Sequence, residues 1–416
     1  MDTDQQSRVK IVVLLLVCVL FSMTVAFLLS QQTQVLNRSD YLPRWYAAYR
    51  YVTESRSIYD PLNSLDVSSF NHSPSELGEQ SSNDLADFNY PAHLLLIVLP
   101  FVWLPYPWAF FIWLVIVQVF SIAGIFWLAK IESWPHTPNQ LAVFIMMAIL
   151  FIPSIQNTIW GQFNTISVIS LVLVYINLRR QHYALAGVLT LGLTFKPQAM
   201  LLTIVFFLIW SLSDRRRWSY ALSFGLTGVA AWAFAELIEP GWIASFLEAV
   251  RVYNAMNHPM GVLAFLGPGG TVLSFILLSI ALLLFVWNRS YLANSIPFAG
   301  SLVLSLSIWW MIVPIIGMMN LVVLPLALIW LFSNLEKTRP ALYRFALVFY
   351  FVLYFLGLAG FIYGLTRPEL YGLHIQLSDL AYNVVAPIMT TILAIPLCFA
   401  SRTLPNINLF RRKEAL

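Results

Sequence analysis

The chain has 416 residues and a net charge of +4, yet only 10% of its residues are charged and 59% are hydrophobic. A soluble globular domain carries about 25% charged residues. A chain this apolar has too little polar surface to face water. That excludes a soluble enzyme, a disordered tail protein and a nucleic-acid binder, and predicts an all-α polytopic membrane protein.

A helix needs about 20 apolar residues to cross the hydrocarbon core. Twelve apolar runs come near that length: Ile11–Leu29, Pro107–Ala129, Leu141–Pro153, Phe163–Leu178, Tyr183–Phe195, Gln198–Leu212, Tyr220–Ile238, Val272–Trp287, Ile296–Ile312, Pro314–Phe332, Ala341–Tyr363 and Leu380–Ala400. Several are short, so tilted or broken helices are expected. The first run exceeds the about 7–15 residues of a signal-peptide core and has no small-x-small site after it, which predicts an uncleaved anchor. A thirteenth stretch, Pro91–Leu104, is the length of an interfacial or re-entrant helix. With it left out of the count, Lys130, Arg179–Arg180, Arg215–Arg217, Arg289, Lys337 and Arg339 share the side of Arg8 and Lys10. The positive-inside rule then places both termini in the cytoplasm. The whole chain, 1–416, reads as one membrane domain. Its outer face carries the loop Ser30–Tyr90, rich in acids, a second loop from Glu239 to about Gly270, and a third, Gly364–Asp379. Cys18 and Cys398 both lie in apolar runs, which excludes a disulfide framework.

Ionisable groups near a bilayer are functional candidates by default. Asp40 stands in Ser39-Asp40-Tyr41-Leu42-Pro43-Arg44-Trp45, an amphipathic stretch suited to the outer membrane surface. Its carboxylate can take a proton from a sugar hydroxyl or cap a helix, with Pro43 in the first turn. Trp160-Gly161-Gln162-Phe163-Asn164 opens an apolar helix; its amides can bind sugar hydroxyls or serve as caps. Lys196 precedes Pro197 at a hairpin tip, where it can hold a lipid phosphate or snorkel to the interface. Gly267-Pro268-Gly269-Gly270 precedes another apolar run, as an anion-binding helix start or a plain turn. His258 and His374 fall in outer loops. No histidine pair has metal-ligand spacing, and no metal or other cofactor is expected.

These motifs resemble glycosyltransferase family 87. The likeness rests on Asp40 followed by aromatic-Ala-Ala, on Ile58-Tyr59-Asp60-Pro61 and on Asn89-Tyr90-Pro91. It continues through Gly161-Gln162-Phe163-Asn164, Ala186-Gly187 and Lys196-Pro197, in order over about residues 30–210. The resemblance implies a C-type membrane glycosyltransferase acting on the outer face. Its donor would be a polyprenyl-phosphate sugar, commonly mannose, and its acceptor a lipid or glycan. Single displacement would invert the anomeric centre. Asp40 would be the base and Lys196 would sit near the donor phosphate, with Arg44, Arg251, Gly269 and Gly270 as further phosphate contacts. Tyr90, Trp160, Gln162, Asn164, His258, Asn320 and His374 would face sugar or acceptor. The second half departs from the family pattern: Trp309-Trp310 is followed by Asn320 where members often carry histidine.

Two other classes fit part of the pattern. Twelve spans with both ends inside also suit a secondary transporter, although such proteins show repeated halves and none is visible here. The missing histidine suits a catalytically inactive, polyprenyl-phosphate-binding relative.

Overall fold

The computed structural model describes residues 3–69, 88–256, 263, 266–313, 317–366 and 380–400. Among these residues the fold is helical throughout, with no strand. In chain order the α-helices are α1 (Thr3–Ser30), α2 (Thr33–Arg38), α3 (Tyr41–Glu54), α4 (Pro61–Ser69), α5 (Leu95–Val98), α6 (Tyr106–Glu132), α7 (Pro138–Ile149), α8 (Ile152–Ile159) and α9 (Asn164–Arg179). They continue as α10 (Tyr183–Leu189), α11 (Pro197–Leu212), α12 (Trp218–Ile238), α13 (Trp242–Met256), α14 (Gly267–Asn288), α15 (Ile296–Ile312), α16 (Leu324–Thr338), α17 (Pro340–Thr366) and α18 (Ala386–Cys398). Proline stands in the first two positions of α6, α7, α8, α11, α14, α15, α16 and α18, where its missing N–H costs no hydrogen bond.

Each of the twelve apolar runs contains helix among the described residues. By length and composition, six helices among the described residues can cross a membrane, or seven if α7 and α8, bent by 55°, form one span. The expected twelve is therefore not reached on length alone. The Pro197 break separates Tyr183–Leu193 from Pro197–Leu212, and both fall in the 10–17-residue class. The stretch Pro91–Leu104 forms three short helical turns, with Trp103 exposed and Phe101 accepting a hydrogen bond from Trp45 Nε1 at 3.1 Å.

Two large apolar cores, with a small cluster of Leu42, Tyr46 and Val67 beside them, hold the described residues together. The larger is built on α9, α11, α15, α16 and α18. α15 is almost wholly enclosed, and Gly300 lets it approach α18 so closely that a Cβ there would lie 2.8 Å from the Cys398 nitrogen. α12, α14 and α17 instead expose Leu222, Leu226, Phe275, Leu283, Val348 and Leu356, as lipid-facing helices do. The smaller core joins the segment between α1 and α6 to the start of α6. It gathers Tyr41, Ile58, Phe88, Tyr90, Trp113, Phe163, Phe195, Ala235 and Trp242 from six parts of the chain. The candidate site is embedded in this second core.

Candidate active site

Asp40 stands one residue ahead of α3, but its carboxylate does not cap that helix. Ser39 does so instead: its Oγ accepts the N–H of Leu42 at 3.2 Å, and it lies 2.6 Å from the Tyr106 hydroxyl. Among the described residues, the Asp40 side chain has no hydrogen bond or ion pair, and the residue is half-buried. Its backbone is fixed on both sides. The Asp40 N–H donates to the Trp160 carbonyl at 2.9 Å, and its own carbonyl accepts from Arg44 Nη1 at 2.7 Å. A carboxylate fixed through its backbone but free at its oxygens is available to a ligand.

Beside it lie two buried cations. Arg44 is 6% exposed and Lys196 5%. Arg44 donates from Nη2 to Asn89 Oδ1 at 2.8 Å, while its Nε is buried and has no partner among the described residues. Lys196 Nζ donates to Gln162 Oε1 at 2.5 Å, so the amine is held inside rather than snorkelling outward. The Tyr90 ring lies against both: the guanidinium carbon is 4.7 Å and the ammonium 6.0 Å from its centroid. The Tyr90 hydroxyl also reaches Gln162 Oε1, at 3.5 Å. Among the described residues no carboxylate comes within ion-pair distance of either cation.

Unpaired buried charge is costly. Lys196 sits in the turn ahead of α11, outside any span. Burial pushes its ammonium down to about 7; the Asp40 charge opposes that shift and the Arg44 charge adds to it. An anion bound between Arg44 and Lys196 would relieve the cost.

The Trp160–Asn164 block is shaped by Gly161. Its φ is +60°, and a Cβ there would come 2.9 Å from the Phe110 ring. Trp113 Nε1 donates to the Gly161 carbonyl at 2.7 Å, and Gln162 N–H to the Asn157 carbonyl at 2.9 Å. This turn sends Gln162 inward to Lys196 and leaves the Trp160 ring partly exposed. Neither Gln162 nor Asn164 caps α9. Asn164 Nδ2 donates to the Met319 carbonyl at 3.0 Å, which brings the Asn320 turn up to the start of α9. The Oδ1 atoms of Asn164 and Asn320 are buried and have no hydrogen-bond partner among the described residues.

Other sequence candidates lie elsewhere. Arg251 is on an exposed face of α13 and pairs with Glu248 at 3.0 Å. Gly269 and Gly270 belong to the first turn of α14, where Gly270 packs on the Leu263 carbonyl. That turn borders a cavity of about 470 Å³ lined by Gly267, Gly270, Ser274, Phe275, Trp309 and Val313 among others. Trp309 of this lining donates from Nε1 to the carbonyl of Pro197, the residue after Lys196, at 3.3 Å. His258 and His374 lie outside the described residues.

One histidine not singled out from the sequence is close to the site. His93 is 8% exposed, lies 3.1 Å from Thr194 Oγ1 and packs against Phe195 and Trp242. Burial pushes its imidazole down to about 4, which keeps it neutral at physiological pH. Its place three residues after Tyr90, in the same Asn-Tyr-Pro stretch, was the available signal.

A family model for glycosyltransferase family 87 matches residues 88–314, more than half of the chain. No curated protein matches, and no solved structure does. The matched range takes in Tyr90, Gln162, Asn164 and Lys196, while Asp40 and Arg44 precede it. The order of the motifs, the helical membrane fold and this match agree: the chain belongs to glycosyltransferase family 87.

Proposed function

We propose that the protein transfers a sugar, mannose in the first instance, from a polyprenyl-phosphate donor to a lipid or glycan acceptor at the outer face of a plasma or inner membrane. The observation that carries this reading is the pair of buried cations, Arg44 and Lys196, without a carboxylate partner among the described residues and beside the free carboxylate of Asp40. A phosphate diester supplies the missing negative charge. The largely apolar cavity beside Trp309 and α14 would suit the polyprenyl chain.

In this reading Asp40 accepts the proton of the acceptor hydroxyl as its oxygen attacks the anomeric carbon. The bond from that carbon to the phosphate oxygen breaks, and the electron pair leaves with the phosphate. Lys196 and Arg44 stabilise that charge, so no acid need protonate the leaving group. One carboxylate then suffices, where glycoside hydrolysis uses two. Gln162 orients Lys196, and the acceptors on Asn164 and Asn320 are available to sugar hydroxyls. Twelve spans with both termini inside fit the distribution of Lys and Arg.

The test uses purified protein in nanodiscs with a short-chain polyprenyl-phosphate mannose and a lipid extract as acceptor. Donor-dependent glycolipid formation that Asp40→Asn abolishes supports the reading. Saturable donor binding with no turnover under any acceptor would instead identify a lipid-binding relative.

A further inference from the structure

Glu239 is a buried carboxylate with no part in the chemistry above. It ends α12 at the turn into α13 and is 9% exposed. Among the described residues it has no ion-pair partner. Both oxygens reach back to the segment between α1 and α6: Oε1 accepts from Ser57 Oγ at 2.7 Å and Oε2 from the Ile58 N–H at 3.0 Å. A desolvated carboxylate satisfied by one hydroxyl and one amide fixes the geometry of whatever it holds.

What it holds leads to the cations. Ser57 Oγ also accepts the N–H of Tyr59, at 3.2 Å. The Tyr59 hydroxyl donates to the Tyr90 carbonyl at 2.7 Å, and its ring meets Phe88 edge-on. Tyr90 in turn lies against Arg44 and Lys196. The same turn braces the opposite wall. The Trp242 N–H donates to the Glu239 carbonyl at 3.0 Å, and Trp242 packs edge-on against His93, which contacts Thr194 two residues before Lys196.

We propose that Glu239 is a positioning residue for the donor site: it clamps Ser57–Tyr59 to the α12–α13 turn, so that Tyr59 sets Tyr90 against Arg44 and Lys196. The role assigned to that cluster rests on the phosphate reading above; the clamp itself does not.

The experiment therefore reads the cluster twice, on purified full-length protein. First, the rate at which Lys196 is acylated by a small amine-reactive ester is followed by mass spectrometry in wild type, Glu239→Ala, Glu239→Gln, Tyr59→Phe and the Glu239→Ala/Tyr59→Phe double variant. Loss of either link should raise the rate roughly tenfold, the scale of one lost orienting hydrogen bond. The double variant should add nothing, because both links act in series. Glu239→Gln should stay near wild type, since an amide can accept from Ile58 and donate to Ser57. Second, the Kd for a short polyprenyl-phosphate mannose should rise in Glu239→Ala and Tyr59→Phe, with kcat at saturating donor nearly unchanged.

Unchanged Lys196 reactivity in Tyr59→Phe, or a Gln variant as perturbed as Ala, would overturn the clamp. Tyr59→Phe decides the matter if Glu239→Ala does not fold. If Lys196 reactivity responds as expected while wild-type protein binds no donor, the clamp stands and the phosphate reading fails.

Discussion

Asp40 and Trp160 are joined backbone to backbone, N–H to carbonyl at 2.9 Å, although they lie 120 positions apart in the chain. This bond sets the start of α3 against the turn that delivers Gln162 to Lys196. It brings the free carboxylate and the cation site together without using either residue's side chain. Replacements of the Asp40 side chain should therefore leave the site's architecture intact.

Asp40→Asn should lower kcat by about 10²–10⁴, the usual loss when a general base is removed. Its melting temperature should match wild type, because the carboxylate caps nothing. Ser39→Ala should behave the opposite way. It removes the cap on Leu42 and a contact with Tyr106, and should cost about 0.5–2 kcal/mol of stability. Melting curves and initial rates on the two variants separate the roles. A destabilised Asp40→Asn protein with normal turnover would reverse the assignment.

If Lys196 lies in the proposed donor site, donor binding should depend on pH with a definite sign. Burial pushes the amine down to about 7, so in the free protein it loses its proton as pH rises through that value. A phosphodiester does not titrate in this range and favours the charged amine, so binding takes up a proton wherever the free amine is neutral. Donor affinity should be greatest below pH 7 and fall above it, by up to about tenfold per pH unit. Lys196→Arg should flatten the profile, because a guanidinium keeps its charge, while its different shape weakens binding overall. Lys196→Met should bind donor poorly at every pH. Calorimetric titration between pH 6 and 9 would check all three.

Gly161 has no tolerant substitute. At φ +60° a left-handed conformation costs an L-residue about 1–2 kcal/mol. The Phe110 contact at 2.9 Å adds a clash in a packed aromatic core. Gly161→Ala should lower the melting temperature and also weaken donor binding, because the Trp160 and Gln162 links flank it. Normal stability with normal donor Kd would show that the turn relaxes freely.

The topology is open to cysteine labelling. With both native cysteines buried, background labelling should be low. In intact cells an impermeant thiol reagent should label Ser68→Cys and spare Ser213→Cys, which lies beside the Arg215–Arg217 turn. The reverse pattern would put the Asp40 site in the cytoplasm.

The sequence by itself determined the class, the helical runs and the breaks between them, because composition, apolar run length and proline placement act locally. It also named Asp40, Tyr90, Gln162 and Lys196 as candidates, and the fold brings these four together. It could not tell whether Asp40 caps α3, since that turns on whether Ser39 or Asp40 reaches the Leu42 amide. Nor could it distinguish a snorkelling from a buried Lys196, which depends on the position of Gln162 across a helix pair. Arg251 looked equivalent to Arg44 in sequence; the fold left one exposed beside Glu248 and enclosed the other against Tyr90. The bonds from Glu239 to Ser57 and Ile58 cross some 180 residues and leave no local signature. Only tertiary packing decided these matters, because burial and pairing of charge belong to the neighbours that the fold assembles and not to the stretch of chain that carries the charge.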